Sequence, residues 1–283
     1  MSFARTFFLT ALAMTAFAGN SLLCRLALKD TGIDAASFTA IRLVSGALVL
    51  WFVTRYFRPG QPGKGNWLSA LALFAYAAAF SFAYISLPAG AGALLLFGAV
   101  QATMIGYGLW SGERLRALQL AGLALALGGL SGLLLPGASA PPLAASGLMI
   151  SAGMAWGVYS LRGRGAGDPT RVTAGNFLRA APFAIALSLG VFLGGGASFD
   201  TAGFGYAALS GAVTSGLGYA IWYTALPALK ATTAATVQLS VPVIAALGGI
   251  AFLGKPVTLR LVLASGAILG GIALVVLQKR GAD

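Results

Sequence analysis

Phe82-Ala83-Tyr84-Ile85-Ser86-Leu87-Pro88 and Ile221-Trp222-Tyr223-Thr224-Ala225-Leu226-Pro227 are two versions of one stretch, one in each half of the chain. Tyr84 meets Tyr223, and Pro88 meets Pro227. Leu127-Gly128-Gly129-Leu130 matches Leu269-Gly270-Gly271-Ile272 in the same order. Near the start of each half Gly19 pairs with Gly157 and Asp30 with Asp168; one residue of slippage later, Arg42 pairs with Arg179. Self-similarity of this kind marks a duplicated architecture. Chance likeness between Ala/Gly/Leu-rich segments would not stay collinear over a whole half.

Composition says what was duplicated. The chain has 283 residues, 58% hydrophobic and 8% charged, with mean hydropathy +0.88. A soluble domain carries about 25% charged residues, so this surface could not cover a soluble globule. Apolar stretches recur from Phe7 to Leu277, and no separate water-soluble domain stands out. The formal net charge of +12 would raise nucleic-acid binding in a soluble protein. In a membrane protein, basic residues sit in cytoplasmic loops and hold orientation, so lipid and a small solute are the expected partners and nucleic acid is not. With Cys24 alone and no histidine, neither an internal disulfide nor a Cys/His metal site can be built, and no cofactor is expected.

Apolar runs bounded by charge or by Pro/Gly predict ten spans, roughly 5–28, 35–57, 66–86, 89–111, 116–135, 143–162, 172–194, 202–224, 230–253 and 258–278. Arg58-Pro59-Gly60-Gln61-Pro62-Gly63-Lys64 and Pro136 to Pro142 are strong separators, while Leu87-Pro88 and Leu226-Pro227 read as either ends or kinks. Arg5 before an apolar run and Ala16-Phe17-Ala18 imitate a secretory signal. The apolar character continues to Leu28, however, and reads as an uncleaved first helix.

Loop charge predicts the topology. With the N-terminus inside, the inner segments hold Arg5, Arg55, Arg58, Lys64, Arg114, Arg116, Arg162, Arg164, Arg171, Lys230, Lys279 and Arg280. The outer segments hold only Arg25, Lys29, Lys255 and Arg260. This threefold bias predicts a multi-pass protein of the inner (plasma) membrane with both termini cytoplasmic. The fold class expected is an all-α membrane protein of ten helices, with five in each repeat, 1–138 and 139–283. An odd number per repeat turns the second upside down relative to the first. Inverted repeats with a site near the bilayer midplane are a signature of secondary transporters.

These features are joined by Ala18-Gly19-Asn20 in the first span, Ile41-Arg42-Leu43 in the second and Gly112-Glu113-Arg114-Leu115 opening the fifth. With them the chain resembles the drug/metabolite transporter superfamily, its EamA type in particular, over essentially its whole length. The Trp often found before the first-span glycine is Ala18 here, although Trp156-Gly157 keeps it in span six. Lys255 stands where an acidic residue is expected after Gly254. Length and aromatic content look most like the YddG-type aromatic amino-acid exporters. The resemblance implies transport without enzymatic chemistry.

Residue chemistry agrees. Asp30, Asp34, Glu113, Asp168, Asp200 and Asp283 all fall at helix ends, in loops or at the terminus. Ion-coupled carriers generally place carboxylates or histidines along the path, and hydrolysis would need an acid–base pair or a metal cage. A facilitator or exchanger is therefore expected, and an enzyme is not. Arg42 and Arg179 are expected to snorkel to the nearer interface or to cap carbonyls, the alternative being that they face the pathway. Asn20, Gln101 and Gln238 lie mid-span, where amides either cross-link helices or bind the polar groups of an amino acid.

Aromatics make a sharper pattern. Tyr76, Phe80 and Tyr84 recur every four residues along span three, Tyr219 and Tyr223 do so in span eight, and Trp156 and Tyr159 sit at i, i+3 in span six. The repeat sets Phe80 facing Tyr219 and Tyr84 facing Tyr223. Tyr84, Trp222 and Tyr223 also suit an interfacial belt, whereas Phe17, Tyr76, Phe80, Trp156 and Tyr219 lie deeper. The candidate substrate site is thus Phe17, Asn20, Tyr76, Phe80, Tyr84, Gln101, Trp156, Tyr159, Tyr219, Tyr223 and Gln238. Spans five and ten, with Gly122, Gly128, Gly129, Gly132, Gly266, Gly270 and Gly271, read as packing helices and a possible homodimer face. The leading expectation is export of aromatic and other neutral amino acids by alternating access. Alternatives are efflux of lipophilic cations or drugs, exchange of nucleotide sugars or sugar phosphates, and a structural or lipid-scrambling role.

Overall fold

Four of the six acids explain their own positions, because they hold helix starts. Asp168 and Asp200 accept the third backbone N–H of the helices that follow them, Asp34 accepts those of Ala36 and Ser37, and Glu113 reaches across the bundle to do the same for Ala231 and Thr232. A helix leaves its first N–H groups without partners, and a carboxylate there satisfies them and suits the positive end of the dipole.

The computed structural model describes residues 1–57, 64–87, 89–134, 142–164, 166–253 and 258–277. The turn at Arg58–Gly63, Pro88, the Pro136–Pro141 stretch with the repeat boundary at Ala138, Gly254-Lys255, and the end with Lys279, Arg280 and Asp283 lie outside the described residues. The described residues are helical nearly throughout: α1 Phe3–Asp30, α2 Ala35–Phe57, α3 Trp67–Ser86, α4 Ala89–Trp110, α5 Ala117–Leu134, α6 Leu143–Arg162 and α7 Pro169–Leu193. Span eight is α8 Thr201–Leu209, a π-helical segment Ser210–Leu217 and α9 Gly218–Ala225 in series. Span nine is α10 Ala231–Val237 and α11 Ser240–Leu253, and span ten is α12 Leu259–Leu277. Seven of these stretches pass as membrane-crossing on length and composition alone. With α5, α6 and composite span eight the described helices make the ten expected.

Both weak separators are ends rather than kinks. Leu87 leaves α3 in an extended conformation, and α9 closes through a 3₁₀ turn, Leu226–Ala228, before Leu229 turns extended. Span nine, expected to be continuous, is broken. Pro242 lacks the N–H that Gln238's carbonyl would accept and its ring crowds that carbonyl; Gln238 O takes the N–H of Val241 instead.

Packing shows the inversion. Span two lies against seven, four against nine, and five against ten. Each pair runs antiparallel: Asp34 before α2 bonds Ser198 beyond α7, Glu113 beyond α4 bonds the start of α10, and Gly122 and Gly129 of α5 meet Gly271 and Ala264 of α12. The remaining major contacts come in matched sets. Span three packs on six as eight packs on one, four on six as nine on one, and three on seven as eight on two. Adding five to every span number returns the same set, which is the mark of a pseudo-twofold axis in the membrane plane. As expected, α5 and α12 stay peripheral. Their glycine rows let backbones meet, since a Cβ on Gly122 would lie 2.7 Å from the Gly271 carbonyl oxygen.

Candidate substrate cavity

Spans one, three, four, six, eight and nine meet around a cavity of about 30 Å³. That is room for one or two waters, so an amino acid could enter only if the helices moved apart. Span one supplies Phe17, Asn20 and Ser21; span three, Tyr76 and Phe80; span four, Leu96, Phe97 and Val100. Span six supplies Trp156, span eight Tyr219, and span nine Gln238 and Val241.

Trp156 is the hub of the wall. Its ring lies 4.7 Å from Tyr219, 5.1 Å from Tyr76 and, edge-on, 5.2 Å from Phe17. Its N–H donates to Gln238 Oε1 at 2.7 Å, while Gln238 Nε2 donates to the Ala234 carbonyl and meets the Met104 sulfur. Gln238 is therefore held on three sides at the break in span nine. Asn20 is held by the π-helical segment, its Oδ1 accepting from Ser210 Oγ at 2.6 Å. A π-turn widens the helix, and such turns concentrate at functional sites. Here Ser210 and Thr214 meet Asn20 of α1, and Ser215 bridges Asn20 and Arg42 of α2. The segment lies hard against α2, and a Cβ on Gly211 would land on the Arg42 carbonyl oxygen.

Of the eleven residues expected at the site, Phe17, Asn20, Tyr76, Phe80, Trp156, Tyr219 and Gln238 line this cavity. Tyr84 stacks edge-on behind Phe80 at 4.8 Å. Tyr159 and Tyr223 lie behind Trp156 and Tyr219, the Tyr223 hydroxyl donating to the Tyr159 carbonyl. Gln101 ties span four to α10 through Nε2 and the Ala235 carbonyl at 2.8 Å. Trp222 and Tyr223 are fully buried, so the interfacial-belt reading does not hold for them. Phe80 and Tyr219 line one cavity without a ring contact between them; spans three and eight meet instead through the hydroxyls of Tyr76 and Tyr219 on Arg42. Ser21, Leu96, Phe97, Val100 and Val241 had no distinguishing signal, being ordinary residues of apolar spans. Ser210, Thr214 and Ser215 did have one, in the Ser210-Gly211-Ala212-Val213-Thr214-Ser215-Gly216 run of small and polar residues.

The two intramembrane arginines part company. Arg179 reaches the interface as expected, donating to the carbonyls of Lys64 and Gly175 and lying over Trp67. Arg42 does not snorkel. It is 1% exposed, with Nε on Ser215 at 2.9 Å and Nη2 on the hydroxyls of Tyr219 at 2.7 Å and Tyr76 at 3.4 Å. Counted from the capping residues Asp34 and Asp168, Arg42 and Asn176 hold the same place, eight residues in, so the positional mate of Arg42 is Asn176.

Short ties join the halves beyond the cavity. At one end Asp34 accepts from Ser198 N–H and Asp200 from Gly32 N–H, both at 2.9 Å. At the other, Glu113 accepts from Ala231 N–H, Thr232 N–H and Thr232 Oγ1. Partial burial opposes ionisation of Glu113, but those hydrogen bonds outweigh it and hold the carboxyl below its ordinary value.

A ten-span inverted repeat with a ring-lined cavity on its pseudo-twofold axis is the architecture of a membrane transporter. Residues 143–277, from the start of α6 to the end of α12, match the EamA-like transporter family. An uncharacterized protein of Pseudomonas aeruginosa is 60% identical over 98% of this chain and 96% of its own. A solved crystal structure superposes with TM-score 0.80 over 99% of this chain and 100% of that one, at 18% identity, and shares the fold. The chain belongs to the EamA-like transporter family of the drug/metabolite transporter superfamily.

Proposed function

We propose that the protein exports aromatic and other neutral amino acids across the inner membrane, as a facilitator or exchanger working by alternating access. The observation that carries this reading is the cavity wall, in which Phe17, Tyr76, Phe80, Trp156 and Tyr219 surround a space also bordered by Asn20 and Gln238. Rings accept the side chain of an aromatic amino acid, and amides suit its backbone-like groups. Likeness to the YddG-type exporters in length and aromatic content supports the substrate class. The two repeats, 1–138 and 139–283, are the bodies that would rock about the cavity, and the loop charges favour cytoplasmic termini. Exchange of a sugar phosphate is the second reading, since a buried Arg42 stands beside the wall. One guanidinium among five rings suits a monoanion better than a phosphate, and Arg179 is engaged elsewhere.

Proteoliposomes preloaded with unlabelled phenylalanine test the proposal. They should accumulate labelled phenylalanine or tryptophan by counterflow with proton and sodium gradients collapsed, and should not accumulate labelled sugar phosphate or lipophilic cation. Strict dependence on an imposed proton gradient would overturn the facilitative part, and uptake of only the other solutes would overturn the substrate class.

A further inference from the structure

We propose that the cavity selects its substrate by a carboxylate, with Arg42 as the counter-charge, so that anionic or zwitterionic solutes bind and organic cations are refused. The inference rests on reading the cavity as the substrate site, and it deepens that reading.

A guanidinium carries five N–H donors and no acceptor, and it stays protonated. For Arg42, Nε is taken by Ser215 and Nη2 by the tyrosine hydroxyls, but buried Nη1 has no partner among the described residues. A charge in an apolar span is among the costliest placements a membrane protein tolerates, and it calls for a partner of opposite sign. None is supplied, because every acid among the described residues lies at a helix end or in a loop. Arg42 is therefore a net positive charge whose anion the described residues do not provide.

The charge lies directly behind the cavity wall. The Arg42 guanidinium lies over the rings of Tyr76 and Phe80, with Cζ 5.3 and 5.9 Å from their centroids, and both rings line the cavity. Tyr76 and Tyr219 accept from the guanidinium and their hydroxyls also bond each other, so one tyrosine proton is left as a donor polarised by the charge behind it. The same field opposes an organic cation, although the rings alone would attract one.

Two probes share the ring and differ in the charge they keep, 3-phenylpropionate and 2-phenylethylamine. Each is titrated at pH 7.5 against the purified wild-type protein by tryptophan fluorescence, and competed against phenylalanine counterflow. Phenylpropionate should bind at least about tenfold more tightly than phenylethylamine, the scale of one charge-assisted hydrogen bond. Arg42→Lys should keep that order, and Arg42→Gln should erase it. Equal or tighter binding of phenylethylamine by the wild-type protein overturns the inference, as does binding of neither probe, whatever the variants do. If phenylalanine is not transported yet phenylpropionate binds preferentially, the amino-acid reading falls and the carboxylate preference stands. If phenylalanine is transported and both probes inhibit it equally, the carboxylate preference falls and the amino-acid reading stands.

Discussion

Trp156 donates its indole N–H to Gln238 at 2.7 Å, and Gln238 stands where Pro242 interrupts span nine. The ring at the centre of the wall is thereby oriented by the break in a different helix. Movement of α10 against α11 would release or turn it, which couples the shape of the cavity to a backbone discontinuity.

That bond is open to a double-mutant cycle. Gln238→Leu leaves a buried indole N–H unpaired and should cost about 1–3 kcal/mol, whereas Trp156→Phe in the same background removes the orphan and should recover part of the loss. Thermal unfolding of the purified variants in one detergent measures both. Additive losses would mean that the two residues are not coupled.

Ring removal should change selectivity. Trp156→Ala, at matched surface expression, should weaken handling of phenylalanine or tryptophan several-fold to about tenfold, from lost stacking of about 0.5–1.5 kcal/mol, and affect alanine less. Gln238→Leu should affect all amino acids alike. Equal losses for large and small substrates in Trp156→Ala would assign the ring to packing.

The pH response should follow Glu113. Its folded pKa is depressed, so the stability it lends is fully present above the ordinary Glu value near 4.3. That stability is lost as pH falls from there through the lower folded value. Glu113→Ala should remove this segment of the acid unfolding curve and cost about 1 kcal/mol at neutral pH, the usual worth of a helix cap. Melting temperatures recorded from pH 7 to pH 3 check it. Asp34 and Asp200, also depressed, should leave an acid transition in the variant.

Close packing gives a sharp contrast between glycines. Gly211→Ala places its methyl on the Arg42 carbonyl, where backbone must yield, while an added Cβ at Gly205 meets nothing within 4 Å. The first should lose several degrees of thermal stability or fail to fold, and the second should behave as wild type. Size-exclusion chromatography with thermal unfolding distinguishes them.

Orientation is tested by reporters. Fusions at Lys64 and Asp283 should read cytoplasmic, and one at Ala138 external. A C-terminus reading external would reverse the charge argument.

The class of the protein is legible in the linear chain. Hydropathy counts spans, the matched Tyr84-Pro88 and Tyr223-Pro227 stretches show the duplication, and an odd number of spans per repeat inverts it. These properties survive in a string of residues because each depends on composition or order alone. Seven of the cavity residues were marked there too, by rings placed deep in their spans and by mid-span amides. Rotation about each helix axis was not. Spans apolar on every side carry no polar face to show which side turns inward. Packing of the bundle is therefore what turns Arg42 to Tyr219 while Arg179 reaches the interface. The π-turn at Ser210–Leu217 arises where α2 presses on Gly211, and the placing of Tyr84, Gln101, Tyr159 and Tyr223 behind the wall depends on which helices intervene. Both are relations between segments far apart in the chain, and tertiary contact is what sets them.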